Sequence, residues 1–172
     1  PATPMNAMGR WIPAFIGASA LVVVTQPTYI EYGLGRFSIM LLDLLHDAGR
    51  NITGSLDGVK LLWTAADGAH GKVGLRLASY NFALYLTAIF AISEVKASTR
   101  LRWLRSGLPL LFLWQIGDVL LTVESQWLTV MRPQAYDIGS SLDLWFLGVK
   151  FANNFNVLAG RQLIPFAIIG AQ

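Results

Sequence analysis

Apolar residues run almost unbroken through four segments of this chain, and between them polar residues return at shorter intervals. The runs cover about 11–30, 77–95, 108–131 and 156–172, the first (WIPAFIGASALVVVTQPTYI) without a charged residue. Each predicts a transmembrane helix, because crossing ~30 Å of hydrocarbon takes about 20 helical residues. The fourth is short and carries Arg161. The segments between, 31–76 and 132–155, are expected outside the bilayer. Within the first of them, GRFSIMLLDLLHDAGR places Arg36, Asp43, Asp47 and Arg50 at spacings of 7, 4 and 3. That is a narrow polar stripe on an amphipathic helix, suited to lie along an interface or against other helices. Alternation at Val59, Leu61 and Trp63, a break at DGAHG, and alternation again at Val73, Leu75 and Leu77 predict a short β-hairpin. In the second, SSLDLWFLGVKF predicts another interfacial helix. The fold class expected is an all-α integral membrane protein of about four spans, one domain over 1–172, with an external amphipathic helix and a hairpin.

Composition agrees with a bilayer as solvent. Of 172 residues 54% are hydrophobic and 13% charged, about half the charge of a soluble domain. Six Trp and five Tyr fit aromatic belts at the two interfaces. No Cys is present, which excludes disulfides, thiolate metal sites and a cysteine nucleophile. Pro1 is not an initiator Met and the chain stops at Gln172 inside an apolar run, so processing or a longer gene product is expected. A signal-anchor fits the first run better than a cleaved signal peptide, although ASA at 18–20 keeps cleavage open.

The net charge of +3 is best read as topology, since the basic residues are split among loops and no nucleic-acid face emerges. Lys96, Arg100, Arg102 and Arg105 crowd the short link before the third run, whereas 31–76 balances five basic residues (Arg36, Arg50, Lys60, Lys72, Arg76) against five acids (Glu31, Asp43, Asp47, Asp57, Asp67). Dense Lys and Arg in a short loop mark the cytoplasmic face. The expected arrangement is therefore multi-pass in a bacterial inner membrane with a cytoplasmic N-terminus. Trp103 and Trp127, about 36 Å apart along a helix, are expected to bracket the third span.

Inside that span, Gln115, Asp118, Thr122 and Ser125 recur at spacings of 3, 4 and 3 and form one polar face. Asp118 lies ~15 Å from Leu108 along the helix, near the bilayer midplane, where an ionisable group costs at least ~2.5 kcal/mol. One reading is a proton or ion path through Asp118 and Gln115. The other is a contact between helices, with Thr87 or Tyr85 as partners. Transport sites recruit several ionisable groups and broken helices, and only one acid lies this deep, which favours the contact. Glu124 and Arg161, each placed a short way in from the outer face, are expected to form an ion pair, the alternative being that Arg161 snorkels to the interface.

His46 and His70 lack H-x-x-x-H spacing and read as surface residues. Asn51-Ile52-Thr53 matches a glycosylation acceptor that needs a eukaryotic lumen, and Gly33 and Gly35 lack the strand-turn-helix setting of a phosphate loop. No G-x-S-x-G elbow appears. Neither catalysis, metal nor cofactor is expected.

The order of features resembles small bacterial membrane proteins associated with exosortases: an anchor helix, an amphipathic external segment, a strand pair, GLRLASYNFALYLTAIFAI, the basic RLRWLR and a polar-faced span. Exosortases themselves use a Cys, Arg and His set, and this chain has no Cys, so the resemblance implies a place beside the enzyme. The function expected is a non-catalytic accessory or assembly subunit of a larger inner-membrane or envelope complex, its partners the lipid bilayer and other membrane subunits. The alternatives are a transport or channel subunit, and a subunit of an electron-transfer or light-harvesting assembly using aromatic residues and His46. Missing paired intramembrane His ligands disfavour the last.

Overall fold

The structure, a computed structural model, describes residues 4–45, 52–92, 95–131 and 143–172, with side chains from residue 9 onward in the first segment. Of these residues 79% are helical, and among them there is one three-stranded sheet. The first helix does not stop where the first apolar run ends. Helix α1 (Pro4–Tyr29) passes through a π-helical turn (Ile30–Leu34) directly into α2 (Gly35–Leu45). Pro27 supplies a physical cause: it brings no N–H to the ladder, and three residues on the bonding has widened, with the Gly35 N–H donating to the Ile30 carbonyl. The expected separate amphipathic helix over 35–50 is thus the continuation of the first, and its described part ends at Leu45. Gly35, Ser38 and Leu42 form its buried stripe, while Phe37, Met40 and Leu44 remain exposed. His46, Asp47, Arg50 and Asn51 lie outside the described residues.

Strands β1 (Ile52–Asp57), β2 (Lys60–Ala65) and β3 (His70–Gly74) form an antiparallel sheet in the order β1-β2-β3. The expected hairpin is therefore the outer two-thirds of a sheet whose first strand the pattern did not reveal. Gly58, at φ +56°, makes the tight turn from β1 to β2, a conformation that costs other residues about 1–2 kcal/mol. Ile52, Gly54, Leu56, Leu61, Trp63, Ala65 and Val73 share one face, packed on α2 and on Ile116, Val119 and Val123. Thr53, Ser55, Asp57, Lys60, Thr64, His70 and Lys72 occupy the other, exposed face. Leu75 and Leu77 do not extend β3. They belong to a helical turn, α3 (Leu75–Ser79), which leads through Tyr80 into α4 (Asn81–Ala91). Together these give an apolar helix over Leu75–Ala91, shorter than the span expected over 77–95 and too short to cross a ~30 Å core untilted.

Helix α5 runs from Ala97 to Met131, 35 residues, and so is ~50 Å long. The basic cluster expected in a loop forms its opening turns instead. Arg100 folds back to donate to the Ile92 and Val95 carbonyls and closes the end of α4. Trp103 and Trp127, expected as interface markers, are both half-buried and pack against core clusters. The last helix begins well before the fourth apolar run. Helix α6 (Leu144–Phe155), capped by the Asp143 side chain at the Phe146 N–H, continues through a π-helical turn (Asn156–Gly160) into α7 (Arg161–Gly170). The expected interfacial helix and the expected span over 156–172 are one element.

Among the described residues there are four helical rods, and the shortest, containing α4, is central: α4 packs on α1, α5 and α7. Among the described residues two helices are long and apolar enough to cross a membrane, Gly9–Leu45 and Ala97–Met131, by length and composition. The most apolar stretch of the first is only 11% buried. Trp11, Ile12, Phe15, Ile16, Val23 and Val24 face outward.

Candidate functional site

The polar face of α5 divides between two neighbours. Gln115, fully buried, donates from its amide to Asn81 Oδ1 on α4 and accepts from the Tyr29 hydroxyl on α1. Beside it, Gln26 donates to Ser79 Oγ, 2.7 Å away, and to the Arg76 carbonyl. These bonds tie α1, α4 and α5 together at one level. Asp118 turns the other way. Its carboxylate accepts from Arg161 Nε at 2.9 Å, from an Arg161 terminal nitrogen at 3.0 Å, and from the Asn156 amide. Asp118 and Asn156 are each 4% exposed. Thr122 donates to the Asp118 carbonyl and to Asn153 Oδ1. Ser125 is buried, and its carbonyl accepts from the Thr129 hydroxyl.

Arg161 therefore pairs with Asp118, which corrects the expected pair with Glu124. The reason is the register of antiparallel helices. Contacts between α5 and the last helix descend one as they climb the other: Thr129 with Lys150, Thr122 with Asn153, Asp118 with Asn156 and Arg161, Ser106 with Gln172. Glu124 lies level with the middle of α6, well short of Arg161. Thr87 and Tyr85, named as partners for Asp118, bond elsewhere: Thr87 to the Ala83 carbonyl, and Tyr85 to the Trp103 carbonyl at 2.6 Å.

The π-helical turn explains how two residues five apart reach one carboxylate. At about 100° per residue, five steps of a regular helix separate side chains by ~140°. One extra residue in the turn restores the near-alignment that a spacing of four normally gives. Asn156 and Arg161 consequently face Asp118 together, a constellation that no spacing rule of 3 or 4 would find.

A groove of about 680 Å³ opens beside this cluster between α5 and the last helix. Leu110, Leu113, Leu121, Phe151 and Phe155 line its walls, and Asp118 and Asn156 also border it. A second groove, about 440 Å³, lies between α1, α4 and α5, with Gln26, Tyr29 and Ser79 at one end and Phe90 and Leu104 at the other. Both have the size of small-molecule sites, and both open sideways along the helices.

His70 sits exposed at the first position of β3, its ring against the Gly68 carbonyl. Among the described residues no group of three His, Cys, Asp or Glu is arranged to hold a metal ion. Gly33 and Gly35 lie in the widened turn and at the start of α2, inside a continuous helix and not in a loop after a strand. Lys96, Arg102 and Arg105 are exposed at the start of α5. No family model, no curated protein and no solved structure matches this chain.

Proposed function

We propose that this chain is a non-catalytic accessory or assembly subunit that spans a bacterial inner membrane and joins a larger membrane or envelope complex. The observation that carries the reading is the occupation of Asp118. Its carboxylate is met by Arg161 and Asn156, so the deepest acid of α5 joins two helices. Exposed apolar side chains along α1 fit a lipid or subunit neighbour better than water. The shared direction of α1 and α5, given by Tyr29 beside Gln115 and Leu21 beside Leu104, puts Arg10 and the α5 basic cluster at one end. The positive-inside bias then makes that end cytoplasmic and the sheet external. The resemblance to exosortase-associated proteins directs the search for partners to envelope assemblies.

The test is purification of the tagged chain in mild detergent with identification of its companions, repeated for Asp118→Asn. Stable companions retained in Asp118→Asn support the accessory reading; a chain recovered without companions in mild detergent overturns it. The position of Asp118 on the border of the larger groove favours one second reading, a transport or channel subunit. Reconstituted into vesicles, wild-type protein would then carry a proton or ion flux that Asp118→Asn abolishes while the fold is kept.

A further inference from the structure

Charged residues gather at two levels of the helical rods. On the first rod nothing charged lies between Arg10 and Glu31, a stretch of 20 residues and so ~30 Å of helix, the thickness of a hydrocarbon core. Levels on the other rods follow from the bonds that join them. Tyr29 meets Gln115, Gln115 meets Asn81, and Gln26 meets the Arg76 carbonyl. Glu31, Arg76 and the Asp118–Arg161 pair therefore lie within ~8 Å of one outer level, with Glu31 and Arg76 exposed. At the other end Arg10 stands 19 residues before Tyr29, and Lys96 stands 19 residues before Gln115, so these two mark an inner level. Between the levels, residues 77–92, 106–117 and 162–172 carry no charge. Exposed there are Leu21, Val24, Leu77, Leu113, Leu163 and Phe166. Beyond the outer level the surface changes character. The sheet packs on Val119 and Val123, and both the Trp63 indole and the Lys72 carbonyl bond Gln126, eight residues or ~12 Å past Asp118. The sheet's outer face exposes Asp57, Lys60 and Lys72. A bilayer centred on Asp118 reaches ~15 Å to either side and would immerse those charges in hydrocarbon, where they are costly.

We infer that the hydrocarbon core ends outward at the level of the Asp118–Arg161 pair: outer-leaflet headgroups meet Glu31, Arg76 and this pair, and α2, the sheet and α6 stand in water as a cap. The inference rests on the reading of this chain as a membrane-spanning subunit and fixes its depth. The lipid-covered belt is then the four-rod bundle between Arg10 and Glu31, with Leu21 near its middle. Asp118, expected at the midplane, becomes part of an interfacial clasp that joins α5 to the last helix where the bundle leaves the bilayer. The cap also exposes apolar side chains, Phe37, Met40 and Leu44 on α2 and Leu144 and Trp145 on α6. At this depth lipid does not reach them, which assigns them to protein neighbours.

The chain has no cysteine, so single introduced thiols carry a spin label to a known depth. Leu21, Tyr32 and Met40 are exposed along the first rod. The full chain with Leu21→Cys, Tyr32→Cys or Met40→Cys is labelled and reconstituted into phosphatidylcholine vesicles. Collisions with oxygen, which concentrates in hydrocarbon, are compared with those of a water-soluble nickel chelate, which is excluded from it. The oxygen-to-nickel ratio is expected to peak at Leu21→Cys and to pass through its crossover at Tyr32→Cys. At Met40→Cys, ~12 Å farther out, nickel is expected to dominate. Leu110→Cys and Val130→Cys on α5 repeat the comparison, the first shielded from nickel and the second open to it, so that one disturbed variant does not decide the result. A peak at Tyr32→Cys, with Met40→Cys still shielded from nickel, would put the midplane at Asp118 and overturn the inference while the membrane reading stands. Nickel-dominated collisions at every position would remove the membrane reading itself, and the inference with it.

Discussion

Asp118 shows how one residue changes its meaning with its neighbours. In the sequence it is an acid deep in an apolar run; in the fold it accepts three hydrogen bonds from Arg161 and Asn156. Removing one partner of a buried pair leaves the other charge uncompensated, at a cost of about 3–5 kcal/mol. Asp118→Leu is therefore expected to lower the thermal unfolding midpoint sharply in detergent, and the double variant Asp118→Leu/Arg161→Leu to recover most of the loss. Recovery absent in the double variant would show that the pair is not what holds α5 to the last helix. Gly107 makes a second residue-scale prediction. The Tyr85 hydroxyl occupies the space where a Cβ at position 107 would lie, and the same hydroxyl donates to the Trp103 carbonyl. Gly107→Ala must displace that ring, and overpacking of this kind costs about 1–3 kcal/mol. Tyr85→Phe, which keeps the ring and loses the bond, should cost less in the same unfolding measurement.

At the scale of elements, the widened turns decide which side chains share a face. Deleting Leu158, an exposed residue of the Asn156–Gly160 turn, converts the spacing of Asn156 and Arg161 from five to four. A regular α-helix then presents both toward Asp118. The deletion is expected to keep the cluster and much of the stability, while insertion of one alanine at the same point separates the two residues and lowers the unfolding midpoint. The reverse order of these two effects would refute the role given to the turn. In the sheet, Gly58→Val loads a left-handed φ with a β-branched side chain and should cost about 1–2 kcal/mol. Much of this level was readable beforehand. The hairpin of β2 and β3 follows from its alternation, and the long apolar helix from the third run. The first strand was hidden because ITGSLD is rich in residues with low strand preference, and it forms against Ile39 and Leu42 of α2, a neighbour that only folding supplies.

For the whole molecule, the prediction concerns orientation. On the proposed membrane orientation, with Arg10 and the α5 basic cluster at one end and the sheet toward the other, Ser98→Cys and Thr64→Cys should report opposite sides of the membrane. In intact cells whose outer membrane is opened, an impermeant maleimide is expected to label Thr64→Cys and spare Ser98→Cys until the inner membrane is broken. Equal labelling of both would remove the multi-pass arrangement, and the opposite labelling would reverse its direction.

Composition and period determined the apolar character of this chain, the placing of its long helices and the polar face on α5, because those depend on side-chain type and on distances along one helix. The joining of α1 to α2 and of α6 to α7, the choice of Asn156 and Arg161 over Glu124, and the first strand, β1, were decided by tertiary structure. A widened turn shifts every later residue by about one helical step, and an antiparallel neighbour matches residues by height instead of by sequence distance. Neither quantity is written in the spacing of residues along the chain.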